Sequence, residues 1–478
     1  MSAATTMSSS LVPDHILESN LPPMDPDVPG AARDFIVSAR ARKNHLSEQI
    51  SDLQSTLTAL VAECESLDCQ IRKHEGVLSP LRRMPPEILF TIFGFTPPWL
   101  VSAVCARWRT ICLSQPLLWS TVVVEREKWG CCSVKRLESQ LERSRDVPLN
   151  ITFVCDIVTV STPEQTNMLF ILAQHCQRWE RVTLFGSEEF ILGVAEQVRG
   201  RLDILSRLDI NMYHERDVAS LDFLEGAPIR DLFVNKRLCY RPVSVPLFPQ
   251  LSRYGGSNTW TGHLDMLRSC ALLVECALNM GDAAEYAYIG APILLPNLLR
   301  LSLSHHGFLA YLDTPALVDL YFDYDLESAH QDLPRFLRGV SCRPTRLIMT
   351  AGFEADFHPD VDQLVGVIAA VPSIRCFGLI AKPSLPADSV VDFLSRVSPA
   401  LESILLSLGG EDVLTKLLEG TWDRRLRSFT LSTPDFLISS ENSSKMDELR
   451  SRGIEILLVS SDFGLYAETI PQSLRLER

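Results

Sequence analysis

Between residues 179 and 459 the chain returns twelve times to one short pattern, an extended segment with large residues at its first, fourth and sixth places. In chain order the units are Trp179, Val182, Leu184; Leu205, Leu208, Ile210; Ile229, Leu232, Val234; Leu251, Tyr254, Gly256; Leu273, Cys276, Leu278; and Leu298, Leu301, Leu303. They continue as Leu317, Leu320, Phe322; Pro344, Leu347, Met349; Ile374, Phe377, Leu379; Leu401, Ile404, Leu406; Leu426, Phe429, Leu431; and Ile454, Leu457, Val459. Central residues follow one another at about 19 to 30 positions, the spacing of stacked repeats. The fourth and sixth places point to one side of a strand, so each unit carries an apolar edge it cannot bury alone. Neighbours stacked in succession bury it together. Helix-like stretches such as VDQLVGVIAAV and DSVVDFLSRV lie between several units, and KRLESQLERSRDVPLNITFV ahead of them also reads as helix then strand. At 478 residues the chain is too long for one ordinary core, and a repeat array answers that constraint.

This pattern resembles an irregular leucine-rich repeat solenoid. The residues between the fourth and sixth places then line one continuous surface, from Thr183, Asp209 and Phe233 to Ser302, Tyr321, Ile348 and Leu458. Its middle is acidic and aromatic, and Asp319, Tyr321, Asp323 and Tyr324 are the candidates for contacts with a target protein.

The N-terminal part is organised differently. Residues 1–30 are rich in Ser, Pro and small residues without periodicity, which predicts a disordered tail. Over 31–78 the positions Leu46, Ile50, Leu53, Leu57, Leu60, Cys64, Leu67, Ile71, His74 and Leu78 alternate steps of four and three, a heptad seam. A coiled coil or long helix follows, whose seam serves self-association through 46–78, packing along the same chain or a helical partner.

Between the seam and the repeats stands SPLRRMPPEILFTIFGFTPPWLVSAVCARWRTICLSQPLLWSTVVV, residues 79–124. Pro85 and Pro86 suit the first turn of a helix and Glu87 its positive end. Ile88, Leu89, Ile92 and Phe93 share a face until Pro97 and Pro98 end the run. A second helix is expected with the stripe Leu100, Val101, Val104, Cys105, Trp108, Ile111 and Cys112, closed by Pro116 and followed by Trp119. Arg82, Arg83, Arg107 and Arg109 make this stretch basic in a chain of net charge −14.

The order MPPEILFTIF, VCARWRTI, PLLW resembles the F-box, with Met84 where the family usually has leucine. The heptad helix running straight into it is similar to F-box-like proteins of mushroom-forming fungi. The resemblance implies the substrate-recognition subunit of an SCF (cullin-RING) ubiquitin ligase, whose F-box docks the Skp adaptor, and through it cullin, while the solenoid holds the target. Carried over residue by residue, Pro85, Ile88, Leu89, Ile92, Phe93, Leu100, Val104, Cys105 and Trp108 make or support the adaptor interface. Trp108 and Trp119 are the expected core members, being large enough to join both helices to the next element.

The rest of the sequence bounds the alternatives. An acidic chain of pI near 5.3 argues against nucleic acid or an anionic membrane as the main partner. Thirteen cysteines are scattered without C-x-x-C or zinc spacing, so they read as reduced; Cys105, Cys112 and Cys276 lie on apolar faces as small hydrophobes. No leader-like block or membrane-length apolar run occurs, which places the expected protein in the cytoplasm, the nucleus or both. No P-loop, G-x-G-x-x-G, G-x-S-x-G or H-E-x-x-H is present, and neither His305 and His306 nor the acidic DLYFDYDLE builds a catalytic or calcium pattern. The chain therefore reads as a non-catalytic receptor without cofactor or metal: a mostly α N-terminus, with an F-box at 79–124, followed by an α/β leucine-rich-repeat-like solenoid over 125–478. The alternative is a coiled-coil interaction scaffold acting outside a ubiquitin ligase.

Overall fold

A computed structural model describes residues 18, 25–125, 133–155, 162–213, 219–237, 243–280, 291–324, 342–351, 361–380, 387–397, 401–407, 410–419, 426–432 and 438–459. The chain divides into two compact units, Met1–Ile92 and Phe93–Arg478.

In the first unit one helix, α1, runs from Val28 to Leu78 over 51 residues. It begins three residues before the expected 31, because Pro29 fits the first turn, where a backbone donor has no partner. Gly76 does not stop it; the chain leaves at Ser79, in an extended conformation, and turns through a short 3-10 helix, Pro80–Arg82. No residue of α1 is buried, so the heptad seam lies open along its length. The helix α2, Pro86–Phe93, follows with Glu87 in its first turn.

The second unit is built on one sheet of 14 strands, each pair parallel, in strict chain order. Parallel neighbours need a return connection of a dozen or more residues, which the unit spacing provides. The strands are β1 Thr121–Val124, β2 Leu149–Val154, β3 Trp179–Ser187, β4 Arg207–Tyr213, β5 Asp231–Arg237, β6 Arg253–Asn258 and β7 Glu275–Met280. They continue as β8 Arg300–Leu303, β9 Asp319–Tyr324, β10 Arg346–Ala351, β11 Cys376–Ile380, β12 Ser403–Ser407, β13 Ser428–Ser432 and β14 Glu455–Val459. Each of the twelve sequence units coincides with one strand from β3 to β14. Val182, Leu208, Leu232, Tyr254, Cys276, Leu301, Leu320, Leu347, Phe377, Ile404 and Phe429 stand in one register row, all buried in the main core.

The last unit is shifted by one residue. Ile456, not Leu457, pairs with Phe429 and enters the core, while Leu457 is 47 % exposed. The run EILLV is apolar in both registers, and Gly453, with φ 88°, turns the chain into the strand one residue early.

Helices return the chain on the core side. Among the described residues these include α5 Val134–Ser144, α6 Pro163–Gln174, α7 Trp260–Ser269, α8 Val361–Ala370, α9 Ala387–Val397, α10 Glu411–Glu419 and α11 Ser440–Ser451. Their starts are chemically marked: Thr162 and Gln165 form a reciprocal capping box, and Ser133, Thr259 and Ser439 cap their helices through the side-chain oxygen. Leu364, Val367, Phe393, Leu394, Leu414 and Leu417 fill the space against the sheet, which explains the apolar faces of α8 to α10.

Candidate adaptor-binding and target-binding surfaces

Helix α2 has two apolar faces with opposite fates. Leu89 and Phe93, one turn apart, are each 1 % exposed, whereas Ile88 and Ile92, also one turn apart, remain 50 % and 46 % exposed. Pro85 is exposed just ahead of the helix. Of the expected interface residues here, Leu89 and Phe93 are core and the isoleucines are surface.

The single helix expected across Leu100–Cys112 is two. Helix α3 spans Pro98–Val104, helix α4 spans Ala106–Ser114, and Cys105 between them is fully extended at φ −157°, ψ 168°. The apolar rhythm passes through the break unchanged, which is why the sequence conceals it. Arg109 fastens the corner, its Nε donating to the Ser102 carbonyl at 3.0 Å, one of the acceptors at the end of α3. Val101, Ile111 and Cys112 turn inward; Leu100 and Val104 stay 47 % and 62 % exposed, and Cys105 is exposed. Burial raises the Cys112 thiol above its ordinary value, as it does that of Cys276, so both act as small hydrophobes.

Trp108 is half-buried, its ring 4.9 Å from that of Phe93. Trp119 is wholly buried and donates its indole N–H to the Cys112 carbonyl at 2.8 Å. Around it lies a joint that the motif reading missed. Trp99 packs edge-on to Trp119 at 4.8 Å, and the Arg143 guanidinium covers both rings at 4.6 Å. Arg136 adds a second cation over Trp99 at 4.9 Å. Gln140, from the same helix α5, donates to the carbonyls of Trp119 (3.2 Å) and Thr121 (2.8 Å) and accepts from Trp99 Nε1 (3.3 Å). The polar i, i+4 and i+7 places of α5, facing a tryptophan-rich neighbour, were the available signal. Since Thr121–Val124 is also the first strand of the sheet, paired with Asn150–Phe153, these helices and the repeats share one framework.

On the sheet face opposite the helices, the proposed target residues fall into different environments. Asp319 is half-buried and faces Arg300 at 3.7 Å. Burial raises its carboxyl from the ordinary value, against the pull of Arg346 and Arg300. Tyr321, expected on an open strand face, is 1 % exposed: it packs into a second apolar cluster with Ala277, Ile348, Ile380, Leu405 and Val459. Burial, with Asp319 adding to it, pushes its hydroxyl up to about 12. Strand β9 continues to Tyr324, but the side chains of Asp323 and Tyr324 lie outside the described residues.

Asp319 belongs to a longer row. Asp231, Arg253, Glu275, Arg300, Asp319 and Arg346 occupy one register position on six successive strands, alternating in sign. Arg253 contacts Asp231 at 3.3 Å and Glu275 at 3.0 Å, and Arg300 closes on Glu275 from the other side. His305, after strand β8, accepts the Gly307 N–H through Nδ1 and meets the Trp260 ring edge-on at 5.5 Å. Among the described residues no three His, Cys, Asp or Glu side chains gather as a metal site, and no helix is long and apolar enough to cross a membrane.

Residues 81–125 match the family model described as F-box-like. The match covers α2 to β1 and the turn before them, so the chain carries an F-box-like domain joined to a large parallel α/β region. Proteins with such domains are typically non-catalytic adaptors of ubiquitin ligases and generally bind Skp1-like partners. No curated protein matches the chain.

Proposed function

We propose that the chain is the substrate-recognition subunit of an SCF ubiquitin ligase, working in the cytoplasm, the nucleus or both, with the adaptor held by the F-box-like domain and the target by the repeats. One observation carries the reading: a short helical domain that matches the F-box-like model leaves Ile88, Ile92, Leu100 and Val104 between 46 % and 62 % exposed. Exposed apolar residues on so short a helical stretch mark positions for interaction. Leu89, Phe93 and Trp119 are buried, not part of this exposed set.

In this reading the layout is a tail ahead of Val28, a coiled-coil helix from there to 78, the F-box to 124 and a leucine-rich-repeat-like solenoid beyond it. Fourteen parallel strands in chain order support the solenoid. The face carrying Asp319 and Tyr321 receives the target, and Asp323 and Tyr324 further along strand β9 remain candidates for its contacts. The chain performs no bond chemistry; holding a target lysine near a charged conjugating enzyme raises the effective concentration of the two.

Pull-down from cell lysate tests this. Wild type recovers adaptor and cullin; Ile88→Asp and Leu100→Asp, both at exposed positions, lose them while hydrogen exchange of β3 to β14 stays unchanged. Undiminished recovery by both variants removes the interface. Recovery of a stable partner without adaptor or cullin from the wild type supports the scaffold instead.

A further inference from the structure

Helix Val28–Leu78 has no buried residue, yet its apolar side chains keep a strict seven-residue repeat. With Leu46 at position d of the heptad, Leu53, Leu60 and Leu67 take the next three d positions, and Ile36, Ile50, Leu57 and Ile71 fall at a. These side chains stand between 43 % and 70 % exposed. Isoleucine at a with leucine at d suits a two-stranded coil.

The charges beside the seam decide which way two strands run. In the N-terminal half Arg33, Arg40 and Arg42 flank the seam at e and g, and Lys43 stands within it at a. In the C-terminal half the flanking charges are Glu63, Asp68 and Glu75. All seven are exposed. A parallel pair would set Lys43 on Lys43 inside the seam and Glu63 beside Asp68, like on like in both halves. An antiparallel pair lays the basic half on the acidic half.

We infer that residues 28–78 pair with a second copy of this chain as an antiparallel two-stranded coil, with Leu46 facing Leu57 and Ile50 facing Leu53. In this register Arg42 lies beside Glu63 of the second copy and Arg33 beside Asp68, each contact occurring twice by symmetry. Lys43 meets Leu60, where its aliphatic stem covers the leucine and its ammonium reaches water. Cys64 falls opposite Ala39, two small side chains together. At a rise of 1.5 Å per residue the two copies of Leu78 stand about 80 Å apart, so the chains leave the rod at opposite ends. The pairing is independent of the ubiquitin-ligase reading.

Sedimentation equilibrium of the full-length chain at micromolar concentration is expected to return twice the 53.5 kDa of one copy. Mild oxidation of full-length Ala39→Cys is expected to give a covalent dimer on a non-reducing gel, and adding Cys64→Ser abolishes it. Arg42→Glu and Glu63→Arg each weaken the dimer at least severalfold, and the double variant restores it, with helix content by circular dichroism equal throughout. A monomer at these concentrations overturns the inference. So does a crosslink in Ala39→Cys that survives Cys64→Ser, since residue 39 then faces residue 39 in a parallel pair.

Discussion

Replacing Gln140 by leucine keeps the shape of the joint beneath the F-box-like helices and removes its polar centre. The wild-type amide is 6 % exposed, donates to the Trp119 and Thr121 carbonyls and accepts from the Trp99 indole. Each such bond contributes about 1 kcal/mol net, and a carbonyl left buried without this donor adds to the loss. The indole bond is the longest, at 3.3 Å, and Trp99 reaches water, so it contributes least. The sum is about 2 to 3 kcal/mol, or roughly 30- to 150-fold in a local opening equilibrium at 1.4 kcal/mol per decade. A chain of 478 residues does not unfold in one step, so the assay is hydrogen exchange of residues 116–124 by mass spectrometry rather than a global melt. Gln140→Glu is expected to be worse than Gln140→Leu at neutral pH, because a carboxylate sets an oxygen against two carbonyl oxygens and cannot donate. Exchange within threefold of wild type in Gln140→Leu, or a Gln140→Glu variant as protected as wild type, refutes this account of the joint.

Further expectations follow from single positions in the repeats. Gly256 has φ 130°, and a Cβ there would meet the Val234 carbonyl oxygen at 1.9 Å, so Gly256→Ala should cost more than about 3 kcal/mol and lower the melting midpoint. Gly366, within helix α8 with nothing inside 4 Å of such a Cβ, should instead gain about 0.5 to 1 kcal/mol as alanine. His263 is buried between the Tyr254 hydroxyl at 3.0 Å and the Asn279 carbonyl at 3.2 Å, and burial pushes its pKa down to about 4 from 6.5. The unfolded chain then takes the proton first, so stability falls as pH drops from 6.5 to about 4, by up to about 3 kcal/mol; denaturant midpoints across that window should slope less in His263→Gln. Glu275, 3 % exposed between two arginines, should cost about 1 to 2 kcal/mol as alanine, discounted because both guanidiniums are near 40 % exposed and regain water; exchange in β6 to β8 reads it.

Much of the repeat region was legible because two periods coincide in it: alternation along a strand and a bounded distance between strands. Where both hold, as at Leu232 or Phe377, the register row follows directly. Where one fails the reading slips. Ile456 and Leu457 are equally apolar, and only the turn at Gly453 chooses between them. The break at Cys105 was hidden because Val101, Val104, Trp108 and Ile111 keep helical spacing through it. The covering of Tyr321 was beyond the sequence, since Ala277, Ile348 and Leu405 join it in one apolar cluster only once the six strands from β7 to β12 are laid side by side. The open faces at Ile88 and Leu100 were likewise mixed with the buried Leu89 and Val101, because periodicity says that a face is apolar and not whether anything covers it.

The charged row on the sheet answers a problem that apolar rows create. Leu208, Leu232, Leu301, Leu320 and Leu347 are nearly interchangeable, so burial alone would let one strand pair with the next but one and loop out the unit between. The residue before each inward place prevents this. Its sequence of signs, Asp231, Arg253, Glu275, Arg300, Asp319, Arg346, puts opposite charges on true neighbours, and skipping any one strand sets like charges face to face. Like charges directly opposite destabilise a strand pair, and here the penalty recurs at every wrong choice along the row. The antiparallel pairing inferred for helix α1 rests on the same division of labour, its leucines and isoleucines giving a seam that accepts either direction and Arg33, Arg42, Glu63 and Asp68 selecting one. In the sheet, and in the pairing inferred for α1, repetition supplies the apolar surface, and it is the order of the charges beside it that makes the pairing unique.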